Sequence, residues 1–353
     1  MIVGEPVLSI NREKGFGFIG GKLKKQEGFL LTSQKLERLL DAENEEEFIR
    51  NFFEIRWFRK NYEIHSIDDL EEKLYDDLKD NLDEFVHIIP DIRVLDIIRL
   101  KYDFHNIKIL FKKRMREVEP GKLYFGLGSI PLEKLEIAFD TKNYSSLPRE
   151  ITKVILMVES SIRDDNIKKL EMFLDRERFR LTFELIDTIG NEYLKKLFIL
   201  IVDLININTF GRCKATGLDR EVFWEAFIPY GSIKREVFDN IYDAPFSVGS
   251  STIGGKFYLP PIPPRTRRED VVIDGFSHLE HEGSFSVLER LSDDLIIYFA
   301  RNFRWATVGI EPFINYFLAR EMDIKNILIV GRGKESKLPD STIKERLRDT
   351  YVQ

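Results

Sequence analysis

Asp103-Phe104-His105-Asn106-Ile107, Asp203-Leu204-Ile205-Asn206-Ile207 and Asp323-Ile324-Lys325-Asn326-Ile327 are three copies of one pattern, Asp-x-x-Asn-Ile, in a chain of 353 residues. Nine residues after each aspartate stands a cation, Lys112, Arg212 or Arg332. Eleven residues after it stands another, Arg114, Lys214 or Lys334. Gly211 and Gly331 share the offset of eight, where the first copy has Phe111. At about 100° per residue, offsets of three, four and eleven return close to the starting direction. The Asp, the Asn, the Ile and the second cation of each copy therefore share one helix face. The acid lies toward the N-terminal side and the cations toward the C-terminal end, the order that suits the helix dipole.

Related text follows the copies. Gly128-Ser129-Ile130 and Gly231-Ser232-Ile233 each precede a helix-like run, and Ser341-Thr342-Ile343 takes the comparable place in the third. The copies lie 100 and 120 residues apart. That spacing is too long for a solenoid and fits three related helical sub-domains. Two roles are open to the motif. Its Asp and Asn hold each sub-domain together by satisfying backbone groups, or the motif meets a partner directly.

Helical periodicity extends outward from these copies. Leu70, Leu74, Leu78 and Leu82 recur at i+4 with Phe85 at the next turn, an apolar stripe among Asp, Glu and Lys. Ser66 with Asp69 reads as a helix start. Asn44 with Glu47 reads as a capping pair before Phe48, Phe52 and Ile55, and Ser286 with Glu289 as another before Leu288, Leu291, Leu295 and Phe299. Pro148 and Pro312 each precede a periodic run, where a first helical turn tolerates proline. Strand signals are weak, so the fold class is all-α. Ala244 to Gly283 holds Pro245, Pro260, Pro261, Pro263 and Pro264 with many Gly and Ser. It reads as a long loop with a short extended piece at Lys256 to Leu259.

Composition narrows the function. The chain is 43% apolar and 32% charged, enough to bury a substantial core. Its 54 Lys and Arg against 60 Asp and Glu, a net charge of −6, argue against a dedicated nucleic-acid binder. The one cysteine, Cys213, permits no internal disulfide and no cysteine cluster for zinc, and fits a cytoplasmic setting. Met1 to Ile10 lacks the pattern of a signal peptide. The most apolar run, Leu197 to Ile207, carries Asp203 and falls short of the roughly 20 residues a spanning helix needs.

Several strings resemble sites without the context that would make them so. Gly15-Phe16-Gly17-Phe18-Ile19-Gly20 satisfies a dinucleotide fingerprint, but charged Asn11-Arg12-Glu13-Lys14 stands where a buried strand should. Gly249 to Lys256 resembles a phosphate loop with its lysine one place late and Phe257 in place of Ser or Thr. His278-Leu279-Glu280-His281 sets two imidazoles three residues apart, and a zinc hydrolase would need a third ligand. Arg265-Thr266-Arg267-Arg268 reads as a solvated basic loop. No catalytic residue, cofactor site or metal site is assigned.

The motif set resembles the C subunit of the V/A-type ATPases and ATP synthases, the homologue of the d subunit of the vacuolar enzyme. The resemblance runs through most of the chain. It is carried by Gly20 to Leu31, Asp103 to Lys108, Asp203 to Lys214 and Phe227-Ile228-Pro229-Tyr230-Gly231-Ser232-Ile233. The strongest block is the end: Gly309 to Pro312, Tyr316 to Glu321, Asp323 to Ile327 and Ile343 to Asp349. The Ala244 to Gly283 segment has no counterpart in that pattern. The resemblance implies an all-α fold of three similar sub-domains around a pseudo-threefold axis, funnel-shaped with a central cavity. Here these would be residues 1–119, 120–219 and 220–353, the last with the loop at 244–283. It implies a non-catalytic connector at the cytoplasmic face of the membrane. Its partners would be the central shaft subunits and the membrane rotor ring, with no transmembrane segment of its own. The twelve motif residues would then face the shaft socket or close the fold. Two other classes remain as alternatives: a helical metal-dependent hydrolase using His278 and His281, and an unrelated helical adaptor scaffold.

Overall fold

A computed structural model describes residues 9–116, 124–161, 166–256 and 266–352. Among these the chain is all-α, without a strand. In chain order the helices are α1 (Ser9–Gln26), α2 (Ser33–Leu40), α3 (Glu45–Glu54), α4 (Ile67–Asp83), α5 (Ile92–Arg116) and α6 (Leu132–Thr141). They continue as α7 (Arg149–Ser161), α8 (Ile167–Ile189), α9 (Glu192–Ala215), α10 (Arg220–Ala226) and α11 (Arg235–Ile241). The remainder are α12 (Phe246–Lys256), α13 (Thr266–Glu282), α14 (Ser286–Arg301), α15 (Glu311–Glu335) and α16 (Asp340–Arg346). The chain divides into two compact units: Met1–Ile92 with Pro260–Gln353, and Arg93–Leu259. Each motif copy lies on a long helix, the first two on α5 and α9 in the second unit and the third on α15 in the first.

The first unit is built around α15, which packs against α1, α2, α3, α4, α14 and α16. That helix is buried nearly all round, from Phe313 and Tyr316 through Asp323 and Asn326 to Gly331 and Lys334. The α4 stripe Leu70, Leu74, Leu78 and Leu82 is buried, and Phe85 meets Phe313 with ring centroids 5.2 Å apart. Gly331 is small for a reason: an added Cβ would stand 2.9 Å from Phe48 Cε1 and 3.0 Å from Ile67 Cδ1. At the same offset in the first copy, Phe111 packs edge-on to Phe139 at 4.9 Å. There the ring fills the space that closer helix packing removes in the third copy.

In the second unit one core gathers Phe104, Ile107, Leu110 and Phe111 of α5 against Leu135, Phe139, Ile151, Val154 and Leu174. On α9, Phe210 lies within 5.4–5.7 Å of the rings of Phe223, Phe238 and Tyr242. Cys213 is buried among these helices, and burial pushes its thiol up from the usual value.

The local signals are met in part. Asn44 Oδ1 accepts from the Glu47 amide at 3.0 Å, and the Glu47 carboxylate accepts in return from the Glu43 amide at 2.9 Å. Ser66 Oγ accepts from the Asp69 amide at 3.1 Å. Pro312 stands in the first turn of α15, and Pro148 immediately precedes α7. Two expectations are corrected. Ser286 is the first helical residue of α14; its N-cap is Phe285, with no side-chain cap bond. Its hydroxyl lies 2.8 Å from that of Ser284.

The larger correction concerns Ala244–Gly283, which is mostly helix. The Pro245 carbonyl opens α12 by accepting from the Gly249 amide at 3.1 Å, a place where the missing N–H of proline costs nothing. Phe246, Gly249, Ser250 and Ile253 are buried on α12, which packs on α11, while α13 lies along α14. Packing overrides a composition poor in helix formers. The phosphate-loop string is part of α12, and Gly15 to Gly20 is part of α1. The extended piece expected at Lys256–Leu259 falls beyond Lys256 outside the described residues, as does Arg265.

Candidate functional site

The three motif aspartates are buried, each with a relative exposure of 1% or less. Asp103 accepts from the Ser129 amide at 3.1 Å, the Ser129 hydroxyl at 2.6 Å and the Ile130 amide at 3.0 Å. Asp203 accepts from the Ser232 hydroxyl at 2.5 Å and the Ile233 amide at 3.0 Å, with the Ser232 amide as a third donor. The glycine before each serine admits the carboxylate: a Cβ on Gly128 would stand 2.3 Å from Asp103 Oδ1, and one on Gly231 2.2 Å from Asp203 Oδ1. Burial raises both carboxyls above their ordinary range, and the donated hydrogen bonds oppose it.

The asparagines, one turn on, clamp the same loops in the first two copies and the segment after α16 in the third. Asn106 donates to the Phe125 carbonyl at 2.8 Å and accepts from the Phe125 amide at 3.0 Å. Asn206 does the same to Ile228 at 2.9 and 3.0 Å, and Asn326 to Arg348 at 3.0 and 2.9 Å. Each carboxamide replaces a missing strand partner by satisfying both backbone groups of one loop residue.

The third aspartate finds its loop at the other end of the chain. Asp323 Oδ2 accepts from the Leu31 amide at 2.9 Å and from Trp57 Nε1 at 3.1 Å. Leu31 stands one residue before the N-cap of α2, as Ile130 does before α6 and Ile233 before α11. Ile343, which the sequence pattern set in this place, instead lies inside α16 with its amide on the Pro339 carbonyl. The Ser341 match is therefore corrected: the residue in the Ile130 position is Leu31. The third copy has no serine hydroxyl on its carboxylate, and the indole takes that role.

The second cations each reach a helix that follows their own. Arg114 donates to the Phe139 carbonyl at 2.6 Å and to Glu159 at 2.6 Å. Lys214 donates to the Tyr242 carbonyl at 2.6 Å and to that of Ala244. Both meet carbonyls at a helix C-terminus, where the backbone dipole favours a cation. Lys334, the buried one of the three, pairs with Asp340 at 2.7 Å. Of the first cations, Lys112 pairs with Glu171, and Arg332 with Asp68 at 2.6 Å and Glu71 at 2.8 Å. Arg212 lies in the last turn of α9. In the first two copies the Asp, Asn and second cation thus form one seam that fastens a single loop and a short helix near it; in the third, Asp323 holds Leu31 while Asn326 and Lys334 hold Arg348 and Asp340 at either end of α16.

Sequence reasoning missed a second buried polar site in the first unit. Arg320 is fully buried, donates to Asp77 at 2.5 Å and to the Trp57 carbonyl at 3.2 Å, and stacks on the Trp57 ring at 3.3 Å. Asp77 has a second cation, Arg59, at 3.9 Å. Asn81 donates to Tyr316 Oη at 2.7 Å. The signal was present: Asp77 and Asn81 fall three residues after Leu74 and Leu78, on the apolar face of α4.

His278 Nδ1 lies 3.1 Å from Glu282 of its own helix. Among the described residues no group of three His, Cys, Asp or Glu side chains is arranged to hold a metal ion. Nor is any described helix long and apolar enough to cross a membrane.

These features define an all-α protein whose three recurring helices each pin backbone of neighbouring segments with one buried Asp and one buried Asn. The chain belongs to the ATP synthase (C/AC39) subunit family, which it matches over residues 19–346. It is 24% identical to the C subunit of the A-type ATP synthase of Methanothermobacter thermautotrophicus, over 94% of this chain and 87% of that one. To the C subunit of the A-type ATP synthase of Methanocaldococcus jannaschii it is 22% identical over 94% and 86%. To the C subunit of the V-type sodium ATPase of Enterococcus hirae it is 24% identical over 74% and 76%. The chain is accordingly a subunit of a rotary ATPase of the A/V type, and its partners are other subunits of that complex.

Proposed function

We propose that this protein is the non-catalytic connector of the central stalk, joining the rotating shaft to the membrane rotor ring. Torque passes through it between ATP chemistry in other subunits and proton or sodium movement in the membrane. Three clipped modules close about a pseudo-threefold axis and leave a hollow that receives the foot of the shaft; the opposite end rests on the ring. The observation that carries this reading is the family match along residues 19–346, with a buried aspartate pinning a backbone amide on each of α5, α9 and α15. The physical support is stiffness. Close-packed helices shear little, and buried bonds that pin each loop to its helix resist slip.

In this reading the Asp and Asn of the motif close the fold, because their side chains are already spent inside it. Partner contacts belong to exposed residues, over interfaces on the order of 1,200–2,000 Å² each. The test is reconstitution of the complex with and without this chain. Tagged chain should bring down shaft and ring subunits together, and its omission should leave ATP hydrolysis uncoupled from ion transport. Coupling that survives omission, or capture of neither partner, ends the proposal. In the same assay Arg212→Glu and Arg332→Glu separate the two motif roles: reversed charges that lower stability and spare coupling in the folded complex fit closure, not a socket.

A further inference from the structure

Three clips of one design differ at one place. Asp103 and Asp203 each hold a serine hydroxyl and two successive backbone amides. Asp323 holds one amide and an indole, both on Oδ2, and its buried Oδ1 has no hydrogen-bond partner among the described residues. What it fastens also differs. The first two hold loops that follow their own helices, whereas Asp323 holds Leu31, 292 residues away in sequence.

We propose that the Asp323 clip is a proton-sensitive latch, the place where the segment Glu27–Thr32 detaches from α15 while the two loop clips stay closed. The segment buries Leu30 and Leu31, both 0% exposed, but its other side-chain hydrogen bonds run to its neighbours in sequence. Lys35 Nζ donates to the Gly28 carbonyl at 2.9 Å and to the Leu30 carbonyl at 2.8 Å, which fixes it to α2 rather than to α15. The charged groups that face Asp323 are Arg320 from α15 itself and Lys35 from α2. Asp77 from α4 pairs with Arg320 and also with Arg59 ahead of α4, so it offsets the Arg320 charge that faces Asp323. Arg320 is thus committed elsewhere, and burial dominates: the Asp323 carboxyl is pushed up from 3.8 to about 7.

The sign follows from linkage. A detached segment exposes the carboxyl and returns it to its ordinary value, so the open form binds fewer protons than the closed one. Closure is favoured most below the ordinary value, weakens as pH rises through about 7, and is constant above. Between pH 6 and pH 8 the opening equilibrium should grow about tenfold.

The experiment is hydrogen exchange on the full chain at pH 6 and pH 8, corrected for intrinsic exchange rates. The Leu31 amide should lose about tenfold in protection. The amides of Ile130 and Ile233 should lose less, and Asp323→Asn should hold Leu31 protection level between the two pH values. No loss at Leu31, or the same loss in Asp323→Asn, overturns the latch. Should Asp323→Asn fail to fold, Trp57→Phe serves: withdrawing the indole from the charged carboxylate moves the fall in protection to higher pH. An unmoved fall overturns the proposal equally.

Discussion

Asn206→Ala is the sharpest probe of the clip. The carboxamide is fully buried and makes two bonds to one residue, to the Ile228 carbonyl at 2.9 Å and from its amide at 3.0 Å. Ile228 is buried as well, so truncation leaves a backbone donor and an acceptor without partners in the interior. At about 1–3 kcal/mol for each unsatisfied buried group, the cost is about 2–6 kcal/mol. Asn106 and Asn326 make the same pair of bonds in half-buried surroundings, where water can reach the orphaned groups. Their alanine variants should therefore fall in the lower half of that range. Since the chain comprises two units, global unfolding need not be two-state, and local opening is the better measure. Hydrogen exchange of the Ile228 amide, with urea midpoints beside it, reads the effect at its source. A loss below about 1 kcal/mol for Asn206→Ala, or an Asn106 effect exceeding it, would refute the argument that burial of the clipped backbone sets the energy.

Arg320→Met should destabilise the protein by up to about 3–5 kcal/mol, because Asp77 at 0% exposure keeps only the more distant Arg59, at 3.9 Å. Adding Asp77→Leu should restore much of that loss, and urea denaturation of the single and double variants checks both. Gly231→Ala should cost about 1–3 kcal/mol in thermal unfolding, since its Cβ would enter the Asp203 carboxylate at 2.2 Å. Gly17→Ala, in open space on α1, should instead stabilise by about 0.5–1 kcal/mol in the same measurement.

The fold class was legible because long helices advertise themselves by period. The offsets of three and eleven placed Asp, Asn and the second cation on one face, and that face is the clip seam. The composition of Phe246–Lys256 misled for a physical reason. Serine and glycine are poor helix formers in isolation, but the helix there is stabilised by burying Phe246 and Ile253, which no local propensity records. Ser286 misled differently: a hydroxyl three residues before a glutamate fits a capping box, yet the chain begins its turn at Phe285. The partner of Asp323 was beyond reach of any pattern along the chain. Leu31 carries no glycine–serine signature like the one beside Asp103 and Asp203, because an indole replaces the hydroxyl there.

That replacement has an energetic logic. Closing the first two clips draws together residues 26 to 30 apart in sequence, and closing the third draws together residues 292 apart. By the logarithmic loop law the longer closure costs roughly 2 kcal/mol more. Hydrogen bonds alone do not offset it, because the third clip has fewer. The compensation lies in burial around Trp57. Its ring is fully enclosed, stacks on the Arg320 guanidinium and leans on Phe52 and Phe58 at 6.4 and 5.5 Å. An aromatic side chain that supplies both a donor to Asp323 and a large apolar surface does what serine does beside Asp103 and Asp203, and adds the burial that serine lacks. The Leu31 segment and α15 are thus held by packing first and by a single carboxylate second, which is why charge on that carboxylate can loosen the segment without unmaking the unit.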